Sequence, residues 1–264
     1  MQWEQLTSPD FAEAVKSTGV CLIAFGVVER HSEHLPLGTD FLNGHKLCSL
    51  AAEKELAVVF PPFYFGQIYE ARCYPGTVTL RPTLLLDLIE GVLDEIGRNG
   101  FKKIILVSAH GGNRHLLPFI TQCTLWERKP YSLYLYKGDL PPAKQKEWDA
   151  ILETGRHEHA CECETSISLA NHAHLVKMER IPAQPAEPLN RLAHLPANQS
   201  GIYWYGDFPD HYAGDARPAS VEKGLKLRQL RVDALAEFIA VVKADMVVPV
   251  LENEFFERVD KLKG

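Results

Sequence analysis

The chain has 264 residues, 46% hydrophobic and 23% charged, enough to bury a sizeable core in one α/β domain spanning residues 1–264. Its formal net charge of −6 lacks the basic excess that a nucleic-acid or anionic-membrane partner would favour. No apolar run reaches the ~18 residues of a membrane span, and residues 1–15 carry Glu4, Asp10 and Glu13 with no apolar targeting core, so the six cysteines are read as reduced and the chain as cytoplasmic.

Residues 20–28 (VCLIAFGVV) form a continuous apolar run and predict a strand buried on both faces, ending at Glu29. Leu42, Leu47, Leu50 and Ala51 sit at helical spacing and predict a helix over residues 40–55. Residues 57–60 predict a short strand, stopped by Pro61 and Pro62, and a loop follows over residues 66–76. Thr83 is the expected N-cap of a helix running to Arg98, which Asn99-Gly100 ends. Residues 103–109 (KIILVSA) predict a third buried strand, followed by a helix over 116–128 and a strand over 132–136. Residues 141–154 read as a mobile excursion. The proline-rich stretch 182–218 reads as a long loop lying over something, and residues 224–247 as a long helix. This alternation implies an α/β fold with a mostly parallel sheet covered on both sides. Such sheets bind ligands beyond the carboxyl ends of their strands, where Glu29 and His110 both fall.

Three clusters carry chemistry. In Glu29-Arg-His31, strand periodicity would point a carboxylate and an imidazole to one side, half of a divalent metal site, and the Pro-Leu-Gly turn would return Asp40 to them. His110-Gly111-Gly112-Asn113 follows a buried strand, and its glycines allow close approach and amides free to hold an oxyanion. His157-Glu158-His159-Ala-Cys-Glu162-Cys-Glu164 packs three acids and two histidines ahead of an apolar helix, so a glutamate in this stretch is expected to point inward. No nucleophile elbow, P-loop or dinucleotide-binding glycine pattern is present.

The run GVVERHSEHLPLGTD (residues 26–40) resembles the creatininase (creatinine amidohydrolase) family's G-x-x-E-Q-H-G-x-H-L-P-L-G-T-D, with Arg30 and Ser32 where glutamine and glycine are common. Tyr74-Pro-Gly-Thr77, His110-Gly-Gly-Asn113, His159-Ala-Cys-Glu162-Cys-Glu164-Thr-Ser166 and Ala219-Ser-x-Glu222-Lys-Gly224 are similar to further family segments, in order. The resemblance implies a three-layer α/β/α fold, often a hexamer, hence a homo-oligomer. It also implies two divalent ions at the sheet's carboxyl edge, zinc first, with manganese or iron as alternatives. By position Glu29 and His110 would hold one ion and His31 the other, with Asp40 bridging. Creatininase carries a further glutamate at the place of Gly112. Other H-G-G-N members carry it in the H-A-G-E segment, which assigns Glu162, with Glu164 as fallback. His159 matches the catalytic histidine and Glu158 the acid beside it. Glu70, followed by Ala71 where the family often has histidine, joins Gly111 and Gly112 in binding substrate.

The expected activity is hydrolysis of a small-molecule amide, cyclic amide or formamide by metal-activated water, with His159 protonating the leaving nitrogen and Glu158 orienting it. Gly155 stands where creatininase has a tryptophan, leaving Trp148 and Trp204 as pocket candidates and pointing away from creatinine itself. The alternatives are a catalytically degenerate metal-binding homologue, whose weakened metal site Arg30 would explain, a mycofactocin-type peptidase, and a Lewis-acid isomerase or lyase.

Overall fold

The computed structural model describes residues 1–196 and 200–262. In chain order, α1 (Ser8–Thr18) leads into β1 (Val20–Phe25), α2 (Thr39–Lys54) and β2 (Val58–Val59). Then come α3 (Pro82–Arg98), β3 (Lys103–Ser108), α4 (Asn113–Cys123), β4 (Ser132–Tyr136) and α5 (Pro142–Ile151). The C-terminal third adds β5 (His157–His159), α6 (Glu162–His172), α7 (Tyr203–Asp207), β6 (Ala213–Gly214), α8 (Val221–Ala244) and α9 (Val247–Leu262). The four-stranded sheet has the order β2-β1-β3-β4, every pair parallel, and β5 pairs with β6 as a separate antiparallel ribbon.

The period-two alternation of the strands makes the layers. Cys21, Ile23 and Phe25 of β1 pack with Ile104 and Leu106 of β3 against α3 and α4. The intervening Val20, Leu22, Ala24, Ile105 and Val107 pack against α2 and α8. The sheet is thus a mostly parallel layer between two layers of helices. Each fully buried Leu or Ile side chain at these interfaces contributes about 1.5–3 kcal/mol.

Two close approaches position the chemistry. A Cβ on Gly26 would overlap the backbone of Phe41, so glycine here lets the start of α2, with Asp40 in its first turn, lie against the end of β1. A Cβ on Gly224 would overlap the Ser166 carbonyl, so glycine lets α8 cross tightly on α6. Ser220 caps α8 by accepting from the Lys223 amide at 3.2 Å.

Several elements differ from the sequence expectation. β1 ends at Phe25, and residues 26–28 leave the sheet, where the Gly26 amide bonds the Phe63 carbonyl at 3.3 Å and Val28 bridges Val78. Thr83 is not the N-cap of α3, because Pro82 takes the first helical position and Arg81 precedes it. The helix expected over 116–128 starts at Asn113 and ends at Cys123. Residues 141–154 are not an excursion, for Trp148 of α5 packs on Ile167 and Leu227 with Arg231 stacked 4.6 Å from its ring. The long final helix begins at Val221, and α9 follows it. Among the described residues no helix is long and apolar enough to cross a membrane.

Candidate metal centre

Glu29, His31, Asp40 and His110 converge beyond the carboxyl ends of β1 and β3. The loop carrying Glu29 is closed by its amide on the Leu37 carbonyl at 3.0 Å, which returns Asp40 to it. Asn113 joins the strands, donating from Nδ2 to the Phe25 carbonyl at 2.9 Å while its Oδ1 accepts from the Gln67 amide at 3.3 Å. Asp40 spans the centre, with Oδ1 3.2 Å from His31 Nε2 and Oδ2 2.9 Å from His110 Nδ1. Glu29 Oε1 lies 2.9 Å from the same His110 nitrogen, and Glu164 Oε1 3.6 Å from His31 Nε2. Three donor triads result, each with its atoms within 4.8 Å of one another: Glu29–Asp40–His110 and His31–Asp40–Glu164, which share Asp40, and Glu29–His31–His159.

The residues present fit a pair of divalent cations. Each histidine is oriented by a backbone carbonyl on its outer nitrogen. His31 Nδ1–H donates to the Glu29 carbonyl at 3.2 Å and His110 Nε2–H to the Gln67 carbonyl at 3.0 Å, so the opposite nitrogens face the carboxylates. Glu29 Oε1 and Asp40 Oδ2 are buried and both converge on one imidazole nitrogen, His110 Nδ1, 2.9 Å from each, with no further hydrogen bond to either oxygen among the described residues, a costly crowding of negative charge without a cation between them. Burial opposes charge on His31 and His110. The carboxylates of Glu164 and Asp40 beside the first, and of Glu29 and Asp40 beside the second, nonetheless raise both well above the ordinary histidine range. Burial likewise opposes charge on Asp40, and His31 and His110 nonetheless hold it below the ordinary carboxylate range. The pocket therefore selects positive charge. Its carboxylate and imidazole donors suit zinc, manganese or iron.

Glu162 is not among these donors, contrary to the sequence expectation. It is fully buried and satisfied elsewhere, accepting from the amides of Glu153 and Thr154 at 3.0 and 2.9 Å, from the Thr154 hydroxyl at 2.8 Å and from Lys223 Nζ. Burial would raise its pKa, but these bonds, Lys223 foremost, lower it. Glu164 reaches the centre instead, its second oxygen accepting from the Ala160 amide at 2.5 Å. The sequence reading also missed His211. Its Nε2–H donates to Glu29 Oε2 at 2.6 Å, and its Nδ1 accepts from Trp204 Nε1–H at 3.2 Å. His211 stands 17 residues from His194, the other histidine of the proline-rich stretch, and no metal-ligand spacing flags it.

The remaining candidates line the approach. The His159 ring lies 4.3 Å from that of His31 and its Nε2–H donates to the Arg30 carbonyl at 2.9 Å, leaving Nδ1 as the acceptor. Burial, with the charge on His31 next, holds its pKa down to about 4. Glu158, on the opposite face of β5, is exposed and paired with Arg156, so it does not orient His159 directly. Glu70 accepts from Gln67 Nε2 at 2.9 Å. A cavity of about 250 Å³ is lined by Glu70, Gly111, Gly112, Glu158, His159 and Trp204, while Trp148 lies away from it. Arg30 turns its guanidinium outward onto Tyr74, 4.9 Å from the ring, and onto Glu33. Ser32, Ala160 and His211 hold φ of 53°, 51° and 53°, left-handed conformations that cost a non-glycine residue roughly 1–2 kcal/mol each. Their clustering beside His31, at His159 and at Glu29's partner marks a backbone constrained around the centre.

A Cβ on Gly112 would press on His110 Nε2 and the Gln67 carbonyl, whereas one on Gly111 meets nothing within 4 Å. Gly112→Ala is therefore expected to break the bond that aims His110 and to lower metal affinity by about 10–100-fold. Gly111→Ala should leave affinity near wild type, and a metal titration of both variants compares them.

A family profile described as Creatininase: Creatinine amidohydrolase matches residues 4–239. The chain belongs to the creatininase family. This creatininase-family chain is 23% identical to the creatinine amidohydrolase of Pseudomonas putida over 247 residues, covering 86% of itself and 92% of that protein. It is 25% identical over 268 residues to the 3-dehydro-scyllo-inosose hydrolase of Thermotoga maritima, covering 93% and 83%. Among solved structures, a creatininase variant of Zn–Zn type superposes with a TM-score of 0.78 at 21% identity, covering 92% of this chain and 98% of that one. A manganese creatininase gives 0.77 at 20%, covering 92% and 99%. These likenesses place the creatininase fold, with its mostly parallel sheet between helices, on this sequence.

Proposed function

We propose that this creatininase-family hydrolase holds two divalent ions, zinc or manganese, and cleaves a C–N amide bond of a small molecule. The observation that carries the reading is the pair of donor triads sharing Asp40, with two buried carboxylate oxygens converging on one His110 nitrogen. Glu29 and His110 would hold one ion, His31 and Glu164 the other, and Asp40 both. The metal pair, when bound, supplies a water acidic enough to attack at neutral pH and a Lewis acid for the carbonyl oxygen.

The chain's own residues do the rest. His211 fixes the free oxygen of Glu29, and the Arg30 carbonyl fixes the His159 ring with Nδ1 unprotonated. His159 Nδ1 can then take the proton of the attacking water and return it to the departing nitrogen. The Gly111 and Gly112 amides, which bond no acceptor among the described residues, would steady the developing oxyanion. Trp204 walls the cavity edge-on to His159, at 6.0 Å, and excludes water. The cavity's size supports a small substrate over a peptide. The reading includes a cytoplasmic homo-oligomer, whose mass analytical ultracentrifugation would give.

The test is metal content and turnover of wild type and His159→Ala on cyclic amides, formamides and short peptides. Wild type should carry metal at this centre and release free amine. His159→Ala should keep that metal and lose about 10²–10⁴-fold in rate, the share a positioned acid–base supplies. Normal turnover by the variant would remove His159 from the mechanism. Metal binding without cleavage of any amide would make the chain a binding homologue.

A further inference from the structure

Three soft donors stand together beside the centre without belonging to it. His157 of β5, Cys161 at the start of α6 and Cys163 one residue into its first turn bring one donor atom each within 4.8 Å of the others, and the two sulfurs are 3.4 Å apart. None is a member of either triad around Asp40. We propose that His157, Cys161 and Cys163 form a separate thiolate–imidazole site for a single d¹⁰ ion, zinc in the first instance.

Three observations support it. First, the ring is oriented as a ligand would be. The Thr154 hydroxyl spends its proton on Glu162 at 2.8 Å, so it accepts from His157 Nδ1–H at 3.4 Å, and Nε2 is left as the electron-pair donor. Glu162 is in turn held by Lys223, so the ring is braced through two further residues. Second, the sulfurs are near the mutual separation that two thiolates ~2.3 Å from one tetrahedral ion would have. Third, the fourth position is open. The three residues line a cavity of about 150 Å³ that also reaches Asp40 and Glu164 of the carboxylate centre and is flanked by Arg228 and Arg231, so water or a small anionic ligand has room to complete the tetrahedron. Two thiolates and an imidazole select zinc over the harder ions that a carboxylate-rich centre accepts. Loading is a balanced exchange in which the dication enters, both Sγ–H protons leave to solvent, and nothing is oxidised. Cys163 directly precedes Glu164, so an ion here would brace the turn of α6 that delivers Glu164 to the other centre.

The experiment uses the full chain purified under reducing conditions. Wild type, Cys161→Ser/Cys163→Ser and Cys163→Ser are loaded with cobalt(II), and zinc content is measured in parallel. Wild type should show the intense near-ultraviolet absorption of thiolate-to-cobalt charge transfer and carry one more equivalent of zinc than the double variant. The double variant should lose that absorption. The carboxylate centre has no sulfur, so its cobalt contributes none, and failure of the two-metal hydrolase reading would leave this absorption intact. Absence of the absorption from wild type, with both thiols shown free by titration, would overturn the site even if a variant failed to fold. A Cys161–Cys163 disulfide persisting under reducing conditions would overturn it equally.

Discussion

Asp40→Asn is expected to empty both halves of the centre at once. Each Asp40 oxygen faces a different histidine, and two of the three donor triads count this carboxylate among their members. Asparagine keeps the shape but presents one acceptor and one NH₂, which cannot ligate a cation. The loss in rate should exceed the ~10–100-fold that disturbing an outer partner of a ligand costs. Glu29→Gln touches one of the two groups that share Asp40, together with the Glu29–His31–His159 group, and should cost the ion at His110 more than the ion on His31 and Glu164. Metal analysis of the two variants reads the difference. An Asp40→Asn protein that retained as much metal as wild type would remove Asp40 as the shared ligand.

The second large effect separates two glutamates one residue apart. Glu164→Gln should cost metal on the His31 side while the protein stays folded, because it removes a charge that a cation would otherwise neutralise. Glu162→Ala should act through stability. It abandons the Glu153 and Thr154 amides and the Thr154 hydroxyl while Lys223 keeps Glu153 and the Pro218 carbonyl, a change worth about 1–3 kcal/mol. At roughly 2–4 °C per kcal/mol for a chain of this size, the melting temperature should fall by about 2–12 °C. Adding Lys223→Met should recover little of the loss, since Lys223 keeps Glu153 at 2.6 Å and the Pro218 carbonyl at 2.9 Å once Glu162 is gone and carries no stranded charge. Thermal unfolding and metal content of the three proteins decide the matter. Metal lost from folded Glu162→Ala but kept by Glu164→Gln would exchange the two roles.

Much of the architecture is legible in the sequence because the strands are buried on both faces. An apolar run such as VCLIAF leaves little besides a central parallel strand. Glu29, His31, Asp40 and His110 are legible too, being close in sequence or placed directly after a strand. The choice between Glu162 and Glu164 was not. Positions two apart in a helix point roughly 200° apart, so one faces in and one away. What fixes which is Lys223, 61 residues from Glu162. His211 meets Glu29 across 182 residues, a separation no local pattern reports. Helix α5 was hidden by its charged sequence, since only Trp148 of its ten residues is buried. The departure of residues 26–28 from the sheet rests on contacts with Phe63 and Val78, again outside any local window.

Helix α8 packs on both α2 and α6, and through Lys223 and the Gly224 crossing it holds the segment that carries Glu164. A nascent chain therefore exposes Glu29, His31, Asp40 and His110 long before the residues that seat their last carboxylate have left the ribosome. On the two-ion reading, capture of metal at full affinity would follow synthesis. A fragment ending before Val221 is expected to hold the ion at His31 only loosely, although every proposed ligand is present in it.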